Sequence, residues 1–120
     1  MLKKIIIVDD DAELAEEMAE ILRDEGFIVE NTSDTLHAEK LISSHSYDLY
    51  LLDYKMSHLS GVDLLKKIKF KDPESKVFII SGRPAIEKLL EEEKVNELVS
   101  AVFKKPFDIE TLLQRIKSLE

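Results

Sequence analysis

The chain has 120 residues, of which 44% are hydrophobic and 35% are charged, and its formal net charge at pH 7 is -8. This length and composition are typical of one globular domain with a hydrophobic core. The negative charge argues against a nucleic-acid-binding surface, the lack of cysteine excludes thiolate metal sites, and no apolar run approaches the roughly 20 residues that span a bilayer. We therefore expect a cytoplasmic protein that contacts neither nucleic acid nor a membrane directly.

Strand-like and helix-like segments alternate along the whole chain. In the first helix-like segment, residues 12–25, apolar residues recur at helical spacing, and Gly26 supplies a stop. Asp108 is placed to cap the last helix, and Asn96 is predicted to take the left-handed conformation after the fourth helix. The predicted strands are residues 3–9, 27–29, 47–53, 76–81 and 99–105.

These segments form five successive β–α units, with no linker or repeat between them. Right-handed crossovers place such strands in one parallel sheet with helices on both faces. The first strand is a continuous apolar run, as expected for a strand that is covered on both sides. The sequence therefore predicts an α/β fold of the doubly wound (βα)5 type, with a five-stranded parallel sheet.

Polar side chains follow four of the five predicted strands. Asp9 and Asp10 follow the first strand, and Asp53 ends the third. Open α/β sheets bind ligands at the carboxyl ends of their strands, and carboxylate oxygens are ligands that Mg2+ accepts. Ser81 ends the fourth strand and Lys105 ends the fifth. Acids, a hydroxyl and an ammonium at one sheet edge predict a site that handles a phosphoryl group.

These strand-end signals resemble, in type and order, the receiver (CheY-like) domain of two-component response regulators. The resemblance covers essentially all of residues 1–120 as a single receiver domain, and it implies the flavodoxin/CheY-like strand order 2-1-3-4-5. It implies a switch that accepts a phosphoryl group from a sensor histidine kinase or a histidine phosphotransfer protein. Such a domain catalyses its own phosphorylation and dephosphorylation and is not a metabolic enzyme.

The resemblance also assigns roles around the metal. Asp53 is the expected phosphoryl acceptor. Asp10, Asp53 and the backbone carbonyl of Lys55 are the expected ligands of Mg2+, or of Mn2+ in its place. Asp9 is expected either to bind the metal, directly or through water, or to orient Asp10 by a hydrogen bond.

Further roles concern signal transfer. Lys105 and Ser81 are expected to contact phosphoryl oxygens. Val102 stands at the position of the family's aromatic switch, where it cannot make a large ring movement, so Ser81 is expected to carry most of the switch. Lys55 and Arg83 match positions that tune dephosphorylation.

The resemblance implies two partner surfaces. The kinase is expected to dock around residues 14–18 and the loop after the fifth strand, and a homodimer would use the fourth helix, fifth strand and fifth helix. Other classes fit less well. A haloacid-dehalogenase-type phosphatase needs an acid where the chain has Lys55, and an FMN phosphate would be repelled by residues 9–11. A phosphorylation-independent receiver-like adaptor stays the alternative.

Overall fold

A computed structural model describes residues 3–54, 61–92 and 94–119. Within these ranges, five strands and five α-helices alternate along the chain. The strands are β1 (Lys4–Val8), β2 (Ile28–Thr32), β3 (Leu49–Asp53), β4 (Lys76–Ser81) and β5 (Ala101–Lys104). The helices are α1 (Ala12–Asp24), α2 (Thr35–Ser44), α3 (Gly61–Lys71), α4 (Ile86–Glu92) and α5 (Ile109–Lys117).

The strands form one parallel sheet in the order β2-β1-β3-β4-β5. The predicted (βα)5 fold and strand order are therefore confirmed. The register aligns the strand ends: Val8 lies opposite Thr32 and Leu52, and Ser81 lies opposite Lys104. We call the edge where all five strands end the carboxyl edge, and the opposite edge the amino edge. Residues that follow the strands consequently meet at the carboxyl edge.

Both faces of the sheet are covered by helices. Along β1, Ile5 and Ile7 pack with α1 and α5, whereas Ile6 and Val8 pack with α2, α3 and α4. None of these four side chains is more than 1% exposed. Burial of each contributes roughly 2 kcal/mol to the free energy of unfolding. Because the core covers both faces of the sheet, it holds the central strands, and so the residues that follow them, in fixed positions.

The end of α1 follows the sequence prediction. Gly26 has φ 99°, its N–H donates to the carbonyl of Arg23, and the N–H of Phe27 donates to the carbonyl of Leu22. This pair of bonds is the Schellman motif, which places a left-handed residue just after the helix. Phe27 and Leu22 are both buried, so an apolar contact closes the motif.

The same motif ends α4, although at a residue that the sequence did not indicate. Lys94 has φ 60°, its N–H donates to the carbonyl of Glu91, and the N–H of Val95 donates to the carbonyl of Leu90. The prediction of Asn96 as the left-handed residue is therefore wrong. Buried Val95 and Leu90 fix the register of the turn, which places the left-handed position one residue before Val95.

Several strand boundaries also differ from prediction; β3, for example, begins at Leu49 rather than at residue 47. β2 extends beyond residues 27–29 because the polar residues that follow lie on an edge strand, where Glu30 reaches the ammonium of Lys4 at 3.7 Å. β5 begins later than residue 99 because a 3₁₀ turn at Asn96–Leu98 precedes it. No helix within the described ranges combines the length and the apolar character required to cross a membrane.

Candidate functional site

The acids that follow β1 are held by backbone contacts. The N–H of Asp9 donates to the carbonyl of Thr32 at 3.1 Å, which ties the end of β1 to β2. The Asp9 side chain is buried, and its Oδ1 accepts from the N–H of Asp11 at 2.9 Å. Asp11 in turn caps α1, because its side chain accepts from the N–H of Leu14. Asp10, between them, is exposed.

The acid that ends β3 lies close to this pair. Asp53 is only 2% exposed, and one carboxylate oxygen from each of Asp9, Asp10 and Asp53 lies within 4.8 Å of the others. At that separation two carboxylates repel each other by roughly 3–4 kcal/mol, even with an effective dielectric constant of 20. The cluster therefore needs positive charge nearby.

Lys105 supplies part of that charge. Its Nζ lies 3.1 Å from Oδ2 of Asp9 and 3.5 Å from Oδ2 of Asp53. Burial alone would lower the pKa of Lys105, but the charges of Asp9 and Asp53 and their hydrogen bonds outweigh it and leave the pKa raised. The ammonium is consequently charged at neutral pH and is shared between two acids from different strands.

A buried hydroxyl and a stacked pair border the cluster. Ser81 is fully buried at the end of β4; its carbonyl accepts from the N–H of Lys105 at 2.7 Å, and its Oγ accepts from the N–H of Arg83 at 3.0 Å. The guanidinium of Arg83 lies over the Tyr54 ring, 5.7 Å from its centroid. Arg83 is thereby held between the end of β4 and the residue that follows Asp53.

The donor set fits a hard divalent cation. Oδ2 of Asp9 is buried and accepts no hydrogen bond, although the ammonium of Lys105 lies near it as an ion-pair partner. With Asp10 and Asp53 it forms an oxygen-only group, the type of site that Mg2+ and Mn2+ favour. The predicted carbonyl ligand and dephosphorylation residue, Lys55, lies outside the described residues.

The remaining predicted switch residue lies away from the cluster. Val102 is half-buried in β5, opposite Ile79 in β4, and packs against the core on the sheet face that carries Ile6 and Val8. Two features of the site had no sequence signal. The ion pair between Asp9 and Lys105 joins residues 96 positions apart, and the stack on Arg83 uses Tyr54, a residue outside any motif. In the sequence, Tyr54 follows Asp53 and Arg83 lies two residues after Ser81, and this proximity was the one available hint of the stack.

Known proteins are similar to this chain in sequence and in fold. A family model described as the response regulator receiver domain matches residues 5–117. Sporulation initiation phosphotransferase F from Bacillus subtilis is 29% identical over 117 residues, which cover 98% of this chain and 93% of that protein. A response regulator receiver domain protein (CheY-like) from Methanospirillum hungatei has a TM-score of 0.88 at 28% identity, covering 99% of this chain and 94% of the other.

Longer regulators match as well. The transcriptional regulatory protein CpxR homolog of Haemophilus influenzae is 34% identical over 119 residues, which are 98% of this chain and 50% of that protein. The chain thus spans about half the length of several curated relatives that it matches. The family match, the strand order and the identity to these relatives agree with the resemblance found in the sequence. The chain belongs to the response regulator receiver domain family.

Proposed function

We propose that Asp53 accepts a phosphoryl group from the phosphohistidine of a sensor histidine kinase or a histidine phosphotransfer protein. The observation that carries this proposal is the convergence at the carboxyl edge: buried Asp53 lies within 4.8 Å of two further acids and 3.5 Å from the ammonium of Lys105. The domain then acts as a switch, catalyses only its own phosphorylation and dephosphorylation, and turns over no metabolite.

The transfer is a substitution at phosphorus. A carboxylate oxygen of Asp53 forms the new P–O bond while the P–N bond of the donor phosphoimidazole breaks, and the electron pair of that bond stays on the imidazole nitrogen. The aspartyl phosphate brings roughly two negative charges into a nearly buried position. Lys105, already 3.5 Å from Asp53, is placed to contact one phosphoryl oxygen.

Asp9, Asp10 and Asp53 would hold Mg2+ or Mn2+, with the backbone carbonyl of Lys55 as a further ligand. Asp9 would bind directly through its hydrogen-bond-free Oδ2 or through a water. When bound, the divalent cation neutralises the acid cluster and polarises the phosphoryl oxygens. The acid cluster is thereby also relieved of its mutual repulsion.

Ser81 would couple the phosphoryl group to the protein surface. Its Oγ accepts a hydrogen bond from the N–H of Arg83, which leaves the hydroxyl proton available to a phosphoryl oxygen. Because the Ser81 carbonyl also accepts from the N–H of Lys105, movement of Ser81 would reach β5 and the face formed by α4, β5 and α5. Val102 lies in that strand but has no ring to move. The same face is our candidate for a phosphorylation-dependent homodimer.

The phosphoryl donor would dock beside Lys105. A hollow of about 650 Å³ lies between α1 and the loop that follows β5, and its apolar lining includes Leu14, Met18 and Phe107. Lys105 lines the same hollow, so a donor histidine seated there would approach the acceptor edge. This location matches the docking site expected from the sequence.

Incubation with acetyl phosphate, followed by intact-protein mass spectrometry, tests the proposed chemistry. A single phosphoryl adduct should form with Mg2+ and should be absent without the metal and in Asp53→Asn. Asp48→Asn, at the other end of β3, serves as the control and should form the adduct normally. An adduct that persists in Asp53→Asn, or no adduct in any variant, contradicts the proposal; the second result favours the phosphorylation-independent adaptor.

Adduct lifetime tests the proposed tuning residues. A long cation at Lys55 would cover the phosphoryl group and hinder the attack of water, and Arg83 is held near the same edge by Tyr54. Lys55→Ala and Arg83→Ala should each change the half-life of the adduct without preventing its formation. Unchanged half-lives in both variants would show that neither residue tunes dephosphorylation.

A further inference from the structure

An aromatic side chain on α3 has no role in the core. Phe70 is 93% exposed, more than any other large hydrophobic residue in the described part of the chain. The same helix buries Leu64, Leu65 and Ile68 against the sheet, so its packing is complete without Phe70. An isolated exposed apolar residue is ordinary on a protein surface. Phe70 differs because of what surrounds it.

Phe70 borders a groove between α2 and α3. The groove encloses about 370 Å³. Its lining residues, none of them acidic, are Ile42, Ser43, Lys66, Lys67, Phe70 and Lys71. Apolar groups and ammonium groups therefore line the same open groove.

The groove is held in shape by its own lysines. The Nζ of Lys71 donates to the carbonyls of Ile42 and His45 at 2.6 and 2.7 Å, which ties the end of α2 to α3. Lys67 forms an exposed ion pair with Glu39 that other carboxylates can exchange with. Lys66 is exposed and has no acidic partner within the described ranges.

The charge of this surface is opposite to that of the molecule. α3 carries four lysines and one aspartate, whereas the chain as a whole has a net charge of -8. Potentials of this kind steer partners of the opposite sign toward a local patch. A partner attracted here would be acidic, and it would need an apolar group to cover Phe70.

We propose that the α2–α3 groove docks an acidic segment of another protein, with an apolar side chain of that segment against Phe70 and its carboxylates against Lys66 and Lys67. Attachment to an anionic membrane is less favoured, because the groove presents three lysines, fewer than the four to eight basic residues of lipid-binding patches, and the chain is acidic overall. The groove is also concave. α3 begins near the carboxyl edge and Phe70 lies in its last turn, so docking is separate from the phosphoryl site.

The fluorescence of a single tryptophan at the groove can report binding there. The chain has no tryptophan, and Phe70 is so exposed that Phe70→Trp leaves the core unchanged. The probe is a blocked amphipathic helical peptide of glutamate and leucine. We expect a saturable blue shift of the tryptophan emission as the peptide binds. Salt should weaken the binding, and Lys66→Glu should lower the affinity about tenfold or more. Unlabelled wild type should compete for the peptide, and Phe70→Ala should compete about tenfold less well.

Two controls set the specificity. A lysine–leucine peptide of the same pattern should leave the emission of Phe70→Trp unchanged. Ile28→Trp, on β2, is the matched reporter: Ile28 is also exposed but lies outside the groove, so the glutamate peptide should not shift its emission.

Four results would overturn the proposal: no shift with the glutamate peptide; an equal shift with the lysine peptide; a shift with phosphatidylserine vesicles but not with the peptide; or a concentration-dependent shift without any probe. The last two would assign the groove to a membrane or to a second copy of the chain. None of these readouts requires phosphorylation.

Discussion

The acids at the two edges of the sheet are held in opposite ways. At the amino edge, Asp48 just before β3 accepts from the N–H groups of Lys3 and Lys4 at 3.0 and 2.9 Å. At the carboxyl edge, five residues later, Asp53 is nearly buried within an acid cluster that shares the ammonium of Lys105. Backbone N–H groups bind the carboxylate of Asp48, whereas the carboxylate of Asp53 lies close to two other carboxylates.

This difference distinguishes an acid that stabilises the fold from acids that serve the functional site. A carboxylate that accepts two backbone hydrogen bonds holds the chain in place and so contributes to stability. A cluster of carboxylates in a nearly buried position costs stability and persists where function requires it. The amino edge is also closed by aromatic packing: the Tyr47 and Tyr50 rings lie 5.5 Å apart, and burial raises the pKa of Tyr47, which keeps its phenol neutral.

The largest expected effect is that of removing the shared cation. Lys105→Met should lower the free energy of unfolding by about 2 kcal/mol, because buried Asp9 and Asp53 lose a common partner; partial exposure of Lys105 keeps the loss below that of a fully buried pair. The matched control is Lys104→Met, which breaks an exposed pair with Glu87 and should change the free energy of unfolding far less. Urea unfolding without metal measures both. Equal losses would show that the cluster is not energetically coupled to Lys105.

A divalent cation should act on the carboxyl edge alone. At ten times its dissociation constant, Mg2+ should raise the free energy of unfolding by about 1.4 kcal/mol. Asp10→Asn should remove most of this gain, whereas Asp48→Asn should keep it, because Asp48 lies at the other edge. Thermal unfolding with and without MgCl2 distinguishes them. A gain of the same size in all three proteins would point to general ion effects.

The amino edge should respond to loss of its acceptor. Asp48→Ala removes the acceptor of two backbone N–H groups and should lower the free energy of unfolding by about 1 kcal/mol or less, since the bonds are exposed. Asp48→Asn keeps one oxygen acceptor and should lose less. Phosphoryl adduct formation should be unchanged in both, and its loss would break the separation between the two edges.

The smallest effect should have the opposite sign. Asp53→Asn removes one charge from the acid cluster while preserving the side-chain shape, so without metal the free energy of unfolding should rise by about 0.5 kcal/mol. Urea unfolding beside Asp48→Asn gives the comparison. Destabilisation by Asp53→Asn would mean that Asp53 supports the fold in the way that Asp48 does.

Much of the site could be predicted because its residues follow buried strands. The apolar runs before Asp9, Asp53 and Ser81 indicated parallel strands, and parallel strands bring their ends to one edge. The distances could not be predicted. Lys105 lies closer to Asp9 than to Asp53, which depends on how the loop after β5 enters the site rather than on any residue pattern.

The remaining differences have local causes. Asn96 was favoured by its intrinsic tolerance of left-handed backbone, but burial of Val95 decided which residue takes that conformation. The end of β2 was missed because Glu30, Asn31 and Thr32 are polar, although they continue the strand at the sheet edge. Propensity and apolar runs thus located the elements, while packing set their ends.

Mapping the acceptor tests the central claim most directly. Borohydride reduces an aspartyl phosphate to homoserine, and peptide mass spectrometry after acetyl phosphate and Mg2+ treatment then locates the converted residue. The account predicts homoserine at position 53 alone, with Asp9, Asp10 and Asp48 unchanged. Homoserine at any of those three positions, or at none, would contradict it.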